Sequence, residues 1–182
     1  MLVYSGVYRA YAYLRGNFHK HLQPLVAGGR PFQASQIEDG LFLGNIWDAH
    51  NIKGLETKNI SHIVTVIGGI QPSYPKLYKY LHIDALDVEE ESLSVYFNQA
   101  HEFITTARAE GNTVLVHCMA GISRSSSIVI AHLMRRNNLK LVDAHQQVKA
   151  ARHFIQPNAG FWRQLQEYER TISTPPTNAK PS

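Results

Sequence analysis

Two short β-branched runs constrain the fold more than anything else in the sequence. His62-Ile-Val-Thr-Val-Ile67 and Thr113-Val-Leu-Val-His117 are too short and too β-branched for helices, and each is apolar on both faces. Strands that bury both faces need cover above and below. The segment between them supplies some of it: Leu93, Phe97, Ala100, Phe103, Ile104 and Ala107 recur at helical spacing, with Ser92 as the expected N-cap and Gly111 as the stop. Gly40–Gly44 and Lys79–Ile83 read as two further strands. Helices are expected from about Arg124 to Arg136, across Val142–Ala151, and from about Ala159 with Asn158 as N-cap. Strands alternating with helices predict an α/β protein: a single layered domain with a central mixed, mostly parallel sheet flanked by helices.

The ends read differently. Up to about residue 35 the chain is aromatic, basic and punctuated by glycine. The tail from Thr174 to Ser182, rich in Pro, Thr and Ser, cannot hold a helix or strand. The expected organisation is an extension over 1–35, a main domain over 36–172 and a disordered tail over 173–182. Tyr4, Val7, Tyr8, Tyr11, Leu14 and Phe18 fall at helical spacing, and residues 1–37 carry Arg9, Arg15, Lys20 and Arg30 without one Asp or Glu. That composition suits an arm packed on the domain, a mitochondrial leader or a segment lying on an anionic membrane surface. Leu2 is incompatible with N-myristoylation, which needs Gly there.

Charge and cysteine count narrow the function classes. From Glu38 onward 14 basic side chains balance 14 acidic ones. A formally neutral domain is a poor non-specific nucleic-acid binder, because that affinity comes from neutralising phosphates. No apolar run is long enough to cross a bilayer as a helix. Cys118 is the only cysteine of the 182 residues, which excludes a disulfide framework and a Cys-rich metal site and fits a reducing compartment. No metal or other cofactor is expected, and the oligomeric state is not legible.

The chemistry concentrates in Val116-His117-Cys118-Met119-Ala120-Gly121-Ile122-Ser123-Arg124-Ser125, which leaves a buried strand and enters a helix. Five residues between Cys118 and Arg124 suffice to curl the backbone into a cradle whose N–H groups point inward, with the helix dipole adding positive potential. Gly121 permits the tight or positive-φ geometry such a loop needs. In that field the thiolate form of Cys118 is favoured. The planar fork of Arg124 suits two phosphoryl oxygens better than a lysine would. A thiolate beneath a bound phosphate is arranged to attack phosphorus and form a cysteinyl-phosphate. A lone cysteine is more often plain core, and only the surrounding strand, His, Gly and helix start lift this one above that reading.

His117-Cys118-x5-Arg124-Ser125 resembles the signature of the cysteine-based protein tyrosine phosphatases, and Ala120–Ser125 resembles its dual-specificity branch. The resemblance runs from about Gln36 to Thr171. Leu41–Asn45 looks like the branch's opening strand, and Pro157-Asn158-Ala-Gly160-Phe161-Trp-Arg-Gln164-Leu165 like its closing helix. His153 departs from the pattern, which usually has Pro there. The resemblance implies a protein-tyrosine-phosphatase-like fold and an enzyme acting on phosphotyrosine and phosphoserine or phosphothreonine of phosphoproteins.

It also implies roles. Cys118 is the nucleophile, Arg124 binds phosphate and stabilises the transition state, and Met119, Ala120, Gly121, Ile122 and Ser123 form the substrate cradle. Asp87 aligns with the general acid, ahead of Asp84, which falls at a strand end. Ser125 stabilises the departing thiolate, while His117 and Asn158 support the loop, each with an ordinary alternative as a core histidine or an N-cap. A thiolate Cys118 together with a protonated Asp87 predicts a bell-shaped pH profile with a mildly acidic optimum.

The uncharged loop lacks the Lys that relatives acting on inositol lipids tend to carry, and the short chain argues for a shallow pocket. The readings left beside it are a phosphate-binding module without turnover, a cysteine phosphatase acting on a non-protein phosphate such as an RNA 5′-triphosphate, and an arsenate reductase or sulfur transferase. A cytoplasmic or nuclear location is expected, with mitochondrial or membrane-surface association as the alternative through residues 1–35.

Overall fold

The computed structural model describes residues 30–173. The readings of the N-terminal aromatic stripe and of the Pro-rich tail lie outside them. Five strands form one sheet: β1 (Ser35–Glu38), β2 (Leu41–Gly44), β3 (Ile60–Val66), β4 (Lys79–Ile83) and β5 (Thr113–His117). Their order is β1-β2-β5-β3-β4. The pairs β2–β5, β5–β3 and β3–β4 are parallel, and β1 adds antiparallel to the edge. The mixed, mostly parallel sheet is thus as expected, with β5 at its centre. Leu41 does not open the sheet, because β1 precedes it.

Alternation along the strands divides the core. Leu41 and Leu43, Val64 and Val66, and Val114 and Val116 face the larger cluster. Phe42, Ile63 and Leu115 face the opposite, smaller one. This period of two is what a pleated strand imposes. The larger cluster is closed by α3 (Phe97–Ala109), α4 (Arg124–Asn137), α5 (Leu141–Ala151) and α6 (Ala159–Ser173). The smaller is closed by two short helices, α1 (Ile46–His50) and α2 (Ile52–Thr57), with Phe32 and Ala34. Helix α4 lies innermost, with every residue from Arg124 to Met134 buried.

Two local expectations are corrected. Ser92 caps nothing: a 3₁₀ turn over Ser94–Tyr96 precedes α3, neither its start nor that of α3 has a side-chain cap, and the Ser94 N–H donates instead to Gln164 Oε1 at 2.8 Å. Strand β3 starts at Ile60, two residues before the apolar run begins. Gly111 does end α3's turn, at φ +78°, its N–H bonded to Arg108 O. Among the described residues no helix is long and apolar enough to cross a membrane.

Candidate active site

The central strand β5 ends at His117, and the next residue is Cys118, buried at the foot of α4. The parallel strands β2 and β3 end beside it and β4 ends beyond β3, so the loops that follow all leave from the same end of the sheet. That edge of an open α/β sheet is where ligands bind.

The loop from Cys118 to Ser123 curls as its spacing predicts. The Gly121 N–H donates to Cys118 Sγ at 3.2 Å, and the Ser125 hydroxyl donates to the same sulfur at 3.1 Å. Gly121 has φ +69°, and a Cβ there would lie 2.5 Å from Gly44 O, so the position excludes any side chain. Ile46 N–H fastens the loop at Met119 O (3.2 Å), and Gln156 N–H fastens it at Ile122 O (2.9 Å). The sulfur therefore receives two donors at the N-terminal end of a 14-residue helix.

Arg124, the first residue of α4, reaches back into the site. Its Nη1 donates to Ala85 O at 3.2 Å. Its Nε is buried and makes no hydrogen bond, although Asp87 Oδ2 is 3.4 Å away. The distance makes an ion pair, while the N–H is not aimed at the carboxylate. A buried donor left unpaired is costly, so this N–H is open to an acceptor that enters the site.

Asp87 belongs to the loop after β4. Its Oδ1 accepts from Ser123 Oγ at 2.7 Å and from Asn158 Nδ2 at 2.9 Å. Ser123 is the N-cap of α4, yet its hydroxyl caps no helix N–H because it is turned to Asp87. Asp84, the other candidate, is not brought to the site: its Oδ1 accepts the Gly69 N–H at 2.7 Å. Asn158 does both things open to it. Its Oδ1 takes the Phe161 N–H at 2.9 Å as a helix cap, while its own N–H donates to Ser123 Oγ at 3.1 Å.

His117 is fully buried. Its Nε2 pairs with Thr65 Oγ1 at 2.8 Å and its Nδ1 approaches Cys118 O at 3.4 Å. Burial pushes its pKa down to about 3, so the ring is neutral near pH 7. It braces the strand end and carries no charge to the sulfur. Met119 packs against the large core cluster, and Ile122 stands 37% exposed at the rim.

Arg152 escaped the sequence reading. It lies just past α5 and reads as an ordinary exposed cation at a helix end. In the fold it is 3% exposed and donates through Nε to Gly121 O at 2.9 Å. No local pattern marks it. Its contacts come from a loop 31 residues away.

Comparison with known proteins agrees with this geometry. Residues 41–171 match the family model described as dual specificity phosphatase, catalytic domain. Dual specificity protein phosphatase 1B of Arabidopsis thaliana is 40% identical over 150 residues, covering 82% of this chain and 89% of the relative. A protein phosphatase Slingshot homolog of Xenopus laevis is 46% identical over 135 residues, 74% of this chain. This chain spans only 20% of that relative's length. The crystal structure of the human tyrosine phosphatase-like serine/threonine/tyrosine-interacting protein superposes with a TM-score of 0.76 at 36% identity, covering 79% of this chain and all of the other.

Proposed function

This chain belongs to the dual-specificity phosphatase family of the cysteine-based tyrosine phosphatase superfamily, and from that premise we propose that it hydrolyses phosphotyrosine and phosphoserine or phosphothreonine through a phosphorylated Cys118. One observation carries the reading: a buried cysteine sulfur receives two hydrogen bonds at a helix N-terminus, with a guanidinium and a carboxylate from separate elements beside it.

In the first step the Cys118 thiolate attacks phosphorus in line with the leaving oxygen. The Arg124 fork and the loop N–H groups hold the equatorial oxygens, whose charge grows in the transition state. Asp87 gives its proton to the departing oxygen as the P–O bond breaks and the S–P bond forms. For this the Arg124–Asp87 pairing must exchange, Arg124 turning to the phosphate and Asp87 to the leaving group. In the second step Asp87, now a carboxylate, takes a proton from water as that water attacks phosphorus. Cys118 leaves as a thiolate, and Ser125, already donating to Sγ, stabilises it. Asn158 and Ser123 hold Asp87 over the cradle between steps.

We assign this activity to a unit somewhat wider at its start than 36–172. The guanidinium of Arg30 lies over Trp47 at 4.6 Å, Phe32 packs in the smaller core, and Gln33 N–H donates to Asp48 Oδ1 at 2.6 Å. Phosphoproteins of the cytoplasm or nucleus are the substrates this reading names. The balanced charge beyond Glu38 supports that choice over nucleic acid. Hydrolysis of para-nitrophenyl phosphate without added metal tests the chemistry. Wild type should turn over, and Cys118→Ser should lose on the order of 10⁴-fold or more in kcat while still binding inorganic phosphate. Turnover surviving in the serine variant would refute the covalent route, and a folded, reduced wild type without turnover would favour a phosphate-binding module.

A further inference from the structure

Arg152 makes no hydrogen bond to the cysteine, yet it donates to two carbonyls of the loop that carries it. Its Nε donates to Gly121 O at 2.9 Å and its Nη2 to Ala120 O at 3.5 Å. The remaining amine, Nη1, donates to Gln33 O at 3.3 Å. The face of the guanidinium is covered by Phe154, whose ring centroid is 4.4 Å from Cζ. At 3% exposure Arg152 is more enclosed than Arg124, at 8%.

The carbonyls it holds are those whose peptide planes matter. A trans peptide points its C=O and its N–H in opposite directions. The plane shared by Ala120 and Gly121 has its oxygen on Arg152 and its N–H on Cys118 Sγ. The plane shared by Gly121 and Ile122 has its oxygen on Arg152 too, which turns the Ile122 N–H away from Arg152, toward the cradle. Without a donor behind the loop these carbonyls are free to rotate inward, presenting negative dipoles to an anion. A side chain at Gly121 would collide with the Arg152 guanidinium, at 2.6 Å from Nη2. Loop and guanidinium are therefore fitted to each other.

The charge matters as well as the geometry. Burial lowers the Arg152 pKa, while the nearby Asp48 and Cys118 act in the opposite direction and favour the cation. Asp48 is itself buried and accepts the Gln33 and Asn45 N–H groups, so its carboxylate is held against the same short segment whose Gln33 oxygen Arg152 binds. A cation is thus built in behind the loop, on the side opposite the entering phosphate.

We propose that Arg152 is a positioning residue for the phosphate loop: it holds the Ala120 and Gly121 carbonyls outward so that the loop's N–H groups face Cys118 and the phosphoryl group. This deepens the phosphatase reading and rests on it. Lysine keeps the charge but cannot hold two carbonyls in one plane, so Arg152→Lys is the informative variant and Arg152→Gln its uncharged partner.

Three readouts are taken on folded protein: kcat and KM for para-nitrophenyl phosphate, the dissociation constant of inorganic phosphate, and the pH dependence of Cys118 alkylation by iodoacetate. Arg152→Lys should lower kcat/KM by about 100-fold, mostly in kcat, with melting within roughly 5 °C of wild type. Phosphate should bind about tenfold more weakly, and in Arg152→Gln the rise of alkylation with pH should move to higher pH. A purely structural role would lower the melting temperature and leave all three readouts of the folded fraction at wild-type values. That result would overturn the proposal. Should wild type itself fail to turn over, the phosphatase reading falls. Phosphate binding and alkylation then still decide whether Arg152 orients the loop.

Discussion

The two loops that meet over Cys118 are built on opposite plans. The phosphate loop is one continuous stretch between β5 and α4, and much of its shape is enforced from within: Gly121 bonds the sulfur three residues back, Ser125 bonds it from the first turn of α4, and the Ser126 and Ser127 hydroxyls return to Ser123 O. The Asp87 loop is held by others. Asn158 bonds its carboxylate, Gln164 donates to Glu91 O at 2.7 Å, and Gly160 lies so close to Glu89 that a Cβ there would strike the Glu89 backbone. All three belong to the start of α6, some seventy residues on. Its internal ties are Leu86 N–H to Glu91 Oε2 at 2.9 Å and Glu91 N–H to Val88 O at 3.2 Å. A nucleophile loop tied through its own residues and braced from behind by Arg152 keeps its form when the substrate comes and goes. An acid loop seated on a distant helix is free to exchange partners between the two steps.

Variants of the acid loop should leave Cys118 and its two donors intact, although Asp87 itself also meets Ser123 and Arg124. Asp87→Asn is the strongest. With alkyl phosphates, whose leaving oxygen needs the proton, it should cost on the order of 10³-fold in kcat, and with good aryl leaving groups about tenfold. Equal losses on both would remove Asp87 from its role. Gly160→Ala comes next. The added Cβ would overlap the Glu89 backbone, and overpacking of about 1–3 kcal/mol outweighs any helix preference of alanine, so melting should fall by several degrees as the Glu89 backbone is pushed off α6. Activity on alkyl phosphates should fall about tenfold, with phosphate affinity unchanged. A fall in phosphate affinity would mean that the two loops are not independent. Arg163→Ala, three residues further on, removes a pair to Glu89 in which both side chains are more than half exposed. Such a pair contributes little, and activity should stay within about twofold.

The same contrast explains what the sequence disclosed. Strand β5 is legible to the residue because it is a compact apolar run, β4 because Tyr80, Leu81 and Ile83 favour a strand, and the phosphate loop because its chemistry is contiguous. Helices α1 and α2, of five and six residues, are too short to show a helical period. Their signal lay in the caps: Asn45 and Asp48 form a reciprocal capping box, and Asn51 accepts the Gly54 N–H. Ser92 misled because a hydroxyl before a helical pattern is a cap only when no distant side chain supplies the acceptor, and Gln164 does. Asp87 stands in the sequence as one of several acidic residues in a turn, separated from Asp84 by resemblance more than by spacing. Its partners Ser123 and Asn158 are brought to it by the sheet order. Arg152 is the extreme case, a buried cation whose hydrogen-bond acceptors are all backbone oxygens that no side-chain pattern records.

The most direct measurement is a rapid-quench reaction of Asp87→Asn with an aryl phosphate that has a good leaving group, followed by mass analysis of the quenched protein. Leaving-group departure then needs little acid catalysis while water activation is impaired, so one phosphoryl group per molecule should accumulate on the peptide carrying Cys118. Release of the phenol with no phosphoryl group on that peptide would contradict the covalent mechanism and the division of labour between the two loops.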